Sequence, residues 1–170
     1  MGKFCYTARI SVKLKRTKKM LTKVQQAKAQ WGGFDTTIDI WLEERKQLLV
    51  QYCKLASLPP FEREDKSLPE KQEIVQFCEI LMDYVSAGHF EIYQKILADA
   101  DDTDTIENIL SQIDNNTDKA LLFNDKYASI DKDGDLNSFD LRLAELGQQM
   151  EERFSYEDQL IKGIADKKPS

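Results

Sequence analysis

The sequence predicts an all-α protein: an antiparallel helical bundle of four long helices plus a short N-terminal helix. Three observations carry this. Apolar residues recur at three- and four-residue intervals almost throughout, without strand-like alternation and without an internal repeat. Seven Gly and four Pro in 170 residues supply too little turn material for a barrel or a sandwich. The periodic stretches are joined by short connections, as antiparallel neighbours require. A chain of this length with 41% apolar residues buries a core without disulfides, and no apolar run approaches the length of a bilayer span.

Charge divides the chain in two. The first nineteen residues, from Lys3 to Lys19, carry seven bases and no acid. Residues 20–170 hold the other 17 Lys+Arg and all 30 Asp+Glu, a balance of −13 where the whole chain has −6. The stretch Phe4 to Leu14 is broken by Arg9, Ser11 and Lys13, so it does not read as a secretory signal. A basic, acid-poor lead suits a transit peptide or a nucleic-acid-binding arm. Regular patterning begins only after Met20, however, and this favours residues 1–19 as a disordered or non-native leader ahead of one domain, 20–170. The acidic balance of that domain argues against direct binding of nucleic acid.

Taken in order, a short helix from about Leu21 to Trp31 stops at Gly32-Gly33. Asp35 is placed to cap a long helix that runs to about Ser57 and is ended by Pro59-Pro60. Ser67-Leu-Pro-Glu70 has the spacing of a capping box with Pro in the first turn. The helix it opens runs to Ala87, Gly88 marks a break or kink, and the pattern resumes from His89 to Ala100. The acidic segment Asp99 to Asp118 has no Lys or Arg and room for a short helix near Ile106 to Ile113. A further helix starts at Thr117 or Asp118 and ends near Ile130, and the last runs from about Ser138 to Ile164.

Projected at 100° per residue, two helices place a charge at the centre of an apolar stripe. Arg45 falls among Ile38, Trp41, Leu42, Leu48, Leu49 and Tyr52, and Glu157 among Met150, Phe154, Leu160, Ile161 and Ile164. His89 lies on the face set by Tyr93, Ile96 and Ala100. A buried charge is costly unless paired, so Arg45 and Glu157 are expected to meet inside the bundle with His89 nearby. The competing placement is at bundle ends, where long side chains reach water. Such a network more often sets register than performs catalysis. The helix opened by Ser67 differs: Ile74, Phe77, Cys78, Leu81 and Val85 form its core stripe, while Gln72, Gln76, Glu79 and Asp83 lie opposite as a polar, acidic outer face. That face is either simply solvated or a docking surface for a basic partner.

Other chemistry finds no support. Cys5, Cys53 and Cys78 have no metal or redox spacing and suit a reducing compartment. Asp131, Asp133 and Asp135 begin like a calcium loop. Positions six and twelve hold Leu136 and Arg142 instead of Gly and an acid, so the segment reads as a helix–helix turn capped by Asp135 or Asn137. One His cannot build a di-iron bundle, and no phosphate loop or nucleophile elbow is present. No cofactor or metal is expected.

Two stretches go further. Trp41-Leu-Glu-Glu-Arg45-Lys-Gln-Leu-Leu49 and Phe77-Cys-Glu-Ile-Leu-Met-Asp83-Tyr-Val-Ser-Ala-Gly-His89-Phe-Glu-Ile-Tyr93 closely resemble the Rsd/AlgQ family of regulators of the bacterial housekeeping sigma factor. Trp31-Gly32-Gly33 and Glu152-Arg-Phe154-Ser-Tyr-Glu157-Asp158-Gln-Leu160-Ile161 add to the resemblance, which covers roughly Leu21 to Ile161. It implies a cytoplasmic, non-enzymatic anti-sigma factor. Such a protein binds the C-terminal, DNA-reading domain of the housekeeping (sigma-70) factor. It thereby blocks core RNA polymerase and −35 promoter recognition and favours alternative sigma factors. The family motif carries Asp83 over as a sigma-binding position, beside Glu79 and Gln76 on the same outer face. Two other readings stay open: an acidic helical adaptor for another basic protein, and a bundle enzyme using Arg45, Glu157 and His89. An acidic surface without an obvious apolar stripe favours a monomer.

Overall fold

The computed structural model describes residues 15, 18–29, 36–63, 67–130 and 134–165. Gly32-Gly33, Asp35, Asp131, Asp133, the side chain of Ile164 and most of the basic leader lie outside the described residues. Among the described residues all regular structure is helical, with no strand. We number the helices α1 (residues 18–29), α2 (Thr36–Leu55), α3 (Lys71–Ala87), α4 (Tyr93–Ala98), α5 (Thr103–Tyr127) and α6 (Phe139–Ala165), with a π-helical turn, Gly88–Ile92, joining α3 to α4. The main packing pairs are α5 with α6, α2 with α3, and α3 with α5. Among the described residues no helix is long and apolar enough to cross a membrane.

The helix α1 starts earlier than the apolar pattern indicates. Lys18 and Lys19 are already helical, Met20, Val24 and Ala27 are buried, and Lys19 Nζ pairs with Glu151 of α6 at 3.0 Å. The end of α2 is a Schellman turn: Leu58 N donates to Cys53 O at 3.0 Å and Ser57 N to Lys54 O at 3.2 Å. Ser57 takes the left-handed position (φ 51°) that more often holds glycine, and Leu58 packs into the core.

Two helix boundaries correct the sequence reading. The helix α3 begins three residues later than Ser67 suggests. Glu70 is its N-cap, and the Glu73 carboxylate accepts from Glu70 N at 2.8 Å, so the reciprocal box is Glu70–Glu73. Pro69, with no N–H to offer, precedes the cap and is itself buried. The acidic stretch expected as a loop with one short helix is instead part of a single 25-residue helix, α5. The Asp102 side chain accepts from Thr105 N at 3.1 Å, Asp104 lies in the first turn and Lys126 in the last, an order that suits the helix dipole. The buried positions Ile106, Ile113, Asn116, Ala120, Phe123 and Tyr127 keep one continuous stripe. Asn116 interrupts the apolar pattern, yet it is held inside the protein by donating to Gln149 Oε1 at 3.0 Å.

At the start of α6, Asp135 Oδ1 accepts from Asn137 N at 2.8 Å, closing a turn ahead of the helix. The first helical hydrogen bond runs from Arg142 N to Ser138 O, which puts Ser138, rather than Asp135 or Asn137, at the cap position. Aromatic rings fill much of the interior. Trp41 stacks on Tyr84 with centroids 5.4 Å apart and meets Tyr93 edge-on at 5.8 Å. Helices α2 and α6 approach closely at Gly147, where a Cβ would lie 2.1 Å from the Tyr52 hydroxyl.

Candidate functional site

The structure brings Arg45 and Glu157 together, both at 0% exposure. Arg45 Nη2 contacts Glu157 Oε2 at 3.1 Å, Nη1 contacts Asp158 Oδ1 at 2.6 Å, and Nε donates to the Tyr84 hydroxyl at 3.0 Å. From the other side, Arg153 Nε donates to Glu157 Oε1 at 2.8 Å, Nη2 to the Tyr93 hydroxyl at 2.9 Å and Nη1 to Thr117 Oγ1 at 2.7 Å. The Tyr93 hydroxyl donates to Glu157 Oε1 at 2.7 Å and the Tyr84 hydroxyl to Glu157 Oε2. The guanidinium of Arg45 also lies over the Trp41 and Phe154 rings, 5.4 and 5.0 Å from their centroids.

Two cations thus face two carboxylates, and each oxygen of Glu157 accepts two hydrogen bonds. Burial works against the Arg45 charge, but the oxygens of Tyr84, Glu157 and Asp158 outweigh it and raise its pKa. Arg153 shows the same balance, burial being overcome chiefly by Glu157. Burial also raises the phenols of Tyr84 and Tyr93 well above their ordinary value, and Glu157 adds to the effect. Burial raises the Asp158 carboxyl as well, against the pull of Arg45. A cluster so fully engaged offers Glu157 no free acceptor with which to take a proton from a substrate. Its chemistry is that of an internal strut linking α2, α3, α4, α5 and α6.

His89 is the correction here. It sits in the π turn with 46% of its side chain exposed, its Nδ1 3.9 Å from Asp114 Oδ1, and no bond to the cluster. It touches the network only indirectly, through an edge-on contact with the Tyr93 ring at 6.3 Å. The buried positions here are Gly88, Ile92, Tyr93 and Ile96, so Tyr93 and Ile96 face inward while the inward place in the preceding turn belongs to Gly88 and not to His89. The inward position is tight: a Cβ on Gly88 would lie 3.0 Å from the Tyr93 hydroxyl and 3.1 Å from Trp41, so a larger residue there requires the rings to give way. The close approach of two rings therefore turns His89 outward. Arg153, Tyr84, Tyr93 and Asp158 escaped the sequence reading. Arg153 carried a usable signal, three residues after Met150 on the α6 stripe and four before Glu157.

The outer face of α3 is a second region. Gln76, Glu79 and Asp83 are all exposed. Glu44 of α2 and Glu91 of the π turn join this face. Burial raises the Glu44 carboxyl, and the charges of Glu91 and Asp83 raise it further, which places half-buried Glu44 within the field of both. Phe90, 74% exposed, stands two turns beyond Asp83. Neither Glu44 nor Glu91 shows this role in its own helix pattern, because the grouping crosses three elements.

The chain matches the family profile described as Regulator of RNA polymerase sigma(70) subunit, Rsd/AlgQ, over residues 20–165. It is 37% identical over 154 residues to Regulator of sigma D of Pectobacterium atrosepticum, a match covering 86% of this chain and 99% of that protein. It is 34% identical over 153 residues to Regulator of sigma D of Yersinia enterocolitica, covering 86% and 91%. With Regulator of sigma D of Yersinia pseudotuberculosis the identity is 33% over 154 residues, covering 86% and 90%. These relatives are regulators, not enzymes, and the matched span includes both the buried cluster and the outer face of α3. The chain belongs to the Rsd/AlgQ family of regulators of the RNA polymerase sigma(70) subunit.

Proposed function

We propose that this protein is a cytoplasmic anti-sigma factor acting as a single subunit. It binds the C-terminal, DNA-reading domain of the housekeeping sigma factor through Asp83, Glu79 and Gln76, with Glu44 and Glu91 widening the acidic surface. A domain that reads DNA presents bases to phosphates, and carboxylates compete for those same side chains. Occupying them withholds sigma from core polymerase and from the −35 element and leaves room for alternative sigma factors. Charge sets encounter and specificity; apolar contact supplies most of the affinity, and exposed Phe90 is placed to give it. We read the four long helices as antiparallel, an arrangement that holds α3 with one face in the core and one in solvent.

The observation that carries the reading is the exposed carboxylate group around Asp83 in a chain of the sigma(70)-regulator family. Calorimetric titration with a purified sigma C-terminal domain tests it. One-to-one binding that weakens with salt and falls at least about tenfold in Asp83→Ala, with the melting temperature unchanged, is the expected result. Absence of binding at low salt overturns it. Binding that ignores Asp83 moves the interface elsewhere. Capture of a different basic protein, with none of sigma, favours the adaptor reading.

A further inference from the structure

The acidic character of the chain gives way locally between α5 and α6. Between the second half of α5 and the first turns of α6 lies a cavity of about 500 Å³, well inside the roughly 300–1,000 Å³ of small-molecule sites. Its apolar lining includes Leu122, Phe123 and Tyr127. Leu122, 64% exposed, offers an apolar surface at the edge of the cavity. Around the cavity stand three cations, Lys119, Lys126 and Arg142, against one carboxylate, Glu145, which Arg142 contacts at 2.9 Å. Lys119 and Lys126 have no carboxylate partner among the described residues. The Lys126 ammonium donates to Ser138 Oγ at 3.3 Å and lies 5.4 Å from the centre of the Tyr127 ring.

A second observation is independent of these charges. Tyr127 is wholly buried, and its hydroxyl has no hydrogen-bond partner among the described residues. A buried hydroxyl is normally satisfied, so an unpartnered one beside the cavity marks polar pairing as incomplete at this end of the bundle. Exposed cations and an apolar lining together fit one chemistry: a negatively charged head on an apolar or aromatic body.

We propose that this cavity is a binding site for a small organic anion. Its carboxylate, sulfonate or phosphate ester is held by Lys119 and Lys126, and its apolar body lies on Leu122 and the edge of Phe123. The site shares no residue with the acidic face of α3, so it stands whether or not that face binds sigma.

The anionic dye anilinonaphthalene sulfonate, titrated into the full chain and followed by fluorescence, is a direct probe. N-phenylnaphthylamine, of similar shape and uncharged, is its control. The expected result is saturable one-to-one binding of the dye, weakened about tenfold or more in the double variant Lys119→Gln, Lys126→Gln, while the neutral control binds both proteins alike. Both lysines are exposed, so the variant keeps the native melting temperature and a change in binding reports the site. Failure of the dye to saturate the native protein overturns the proposal, as does binding unaffected by the lysine changes or equal loss for the neutral control. A doubling of mass in light scattering, with no dye bound, also overturns it and assigns the groove to a second copy of the chain.

Discussion

Asp83 and Tyr84 are adjacent in α3 and belong to two regions where charge acts in opposite ways. Tyr84 faces inward and donates to Glu157, inside a cluster where Arg45, Arg153, Glu157 and Asp158 balance two positive against two negative groups. Asp83 faces outward and, with Glu91, adds negative charge beside Glu44. Inside, low dielectric makes imbalance intolerable, so every charge is matched and hydrogen-bonded. Outside, water screens the repulsion and an excess of one sign is cheap to keep. Balance belongs to folding, and surplus to recognition.

The largest effect that separates the two regions comes from removing one inner charge. Arg45→Ala leaves Glu157 and Asp158 short of a cation and should cost about 3–5 kcal/mol. For a domain of this size that lowers the melting temperature by on the order of 10 °C, measured by calorimetry. A melting temperature unchanged in Arg45→Ala would falsify the strut reading of the cluster.

A smaller loss is expected where rings pack on bare backbone. Gly88→Ala pushes a methyl group against Tyr93 and Trp41, which support the cluster, and should cost about 1–3 kcal/mol. Denaturant titration measures it. A neutral result would mean that the π turn yields, and that the rings around the cluster are less tightly placed than their contacts indicate.

Alkaline pH sharpens the contrast further. Burial holds the Cys53 thiol up to about 11 and the Cys78 thiol up to about 12, from an ordinary 9.0, and also raises Tyr84 and Tyr93. Each group keeps its proton longer in the folded state than in the unfolded one. Their stabilising contribution is therefore complete below about pH 9 and is lost progressively as pH rises from there toward about 12. A melting temperature that falls over this range, with a shallower fall in Cys78→Ala, is the expected profile. A flat profile contradicts the burial of these groups.

The smallest effect lies on the outside. Asp83→Ala and His89→Ala should each change stability by no more than about 0.5 kcal/mol, since both side chains are exposed. A large loss in His89→Ala would place the imidazole inside the network after all.

The inner region was partly legible in the sequence. Arg45 and Glu157 stood out because a charge at the centre of an apolar stripe breaks an otherwise regular pattern, and few arrangements tolerate that. Their other partners were not legible. Tyr93 reads as an ordinary core aromatic, Tyr84 falls outside the core stripe assigned to its helix, and Arg153 reads as one more charge on a charged helix. Nothing local announces which hydroxyl will reach a carboxylate more than sixty residues away. The outer region behaved in reverse: Gln76, Glu79 and Asp83 could be read from one helix, while Glu44 and Glu91 joined them only through folding.

By itself, then, the sequence determined the helical class, most helix positions, the two charges that had to be buried and the exposed face of α3, because each follows from periodicity along one helix. Tertiary structure decided the rest. It carried α5 unbroken across Asn116, whose amide nitrogen donates to Gln149 on α6, and it seated Gly88 rather than His89 against the Trp41 and Tyr93 rings. It also completed the charge balance around Glu157 with Arg153 and Asp158. The physical reason is common to all three. Periodicity is a property of neighbours in the chain, whereas the satisfaction of a buried polar group, or the room for a side chain, is settled by whatever another helix brings to that point.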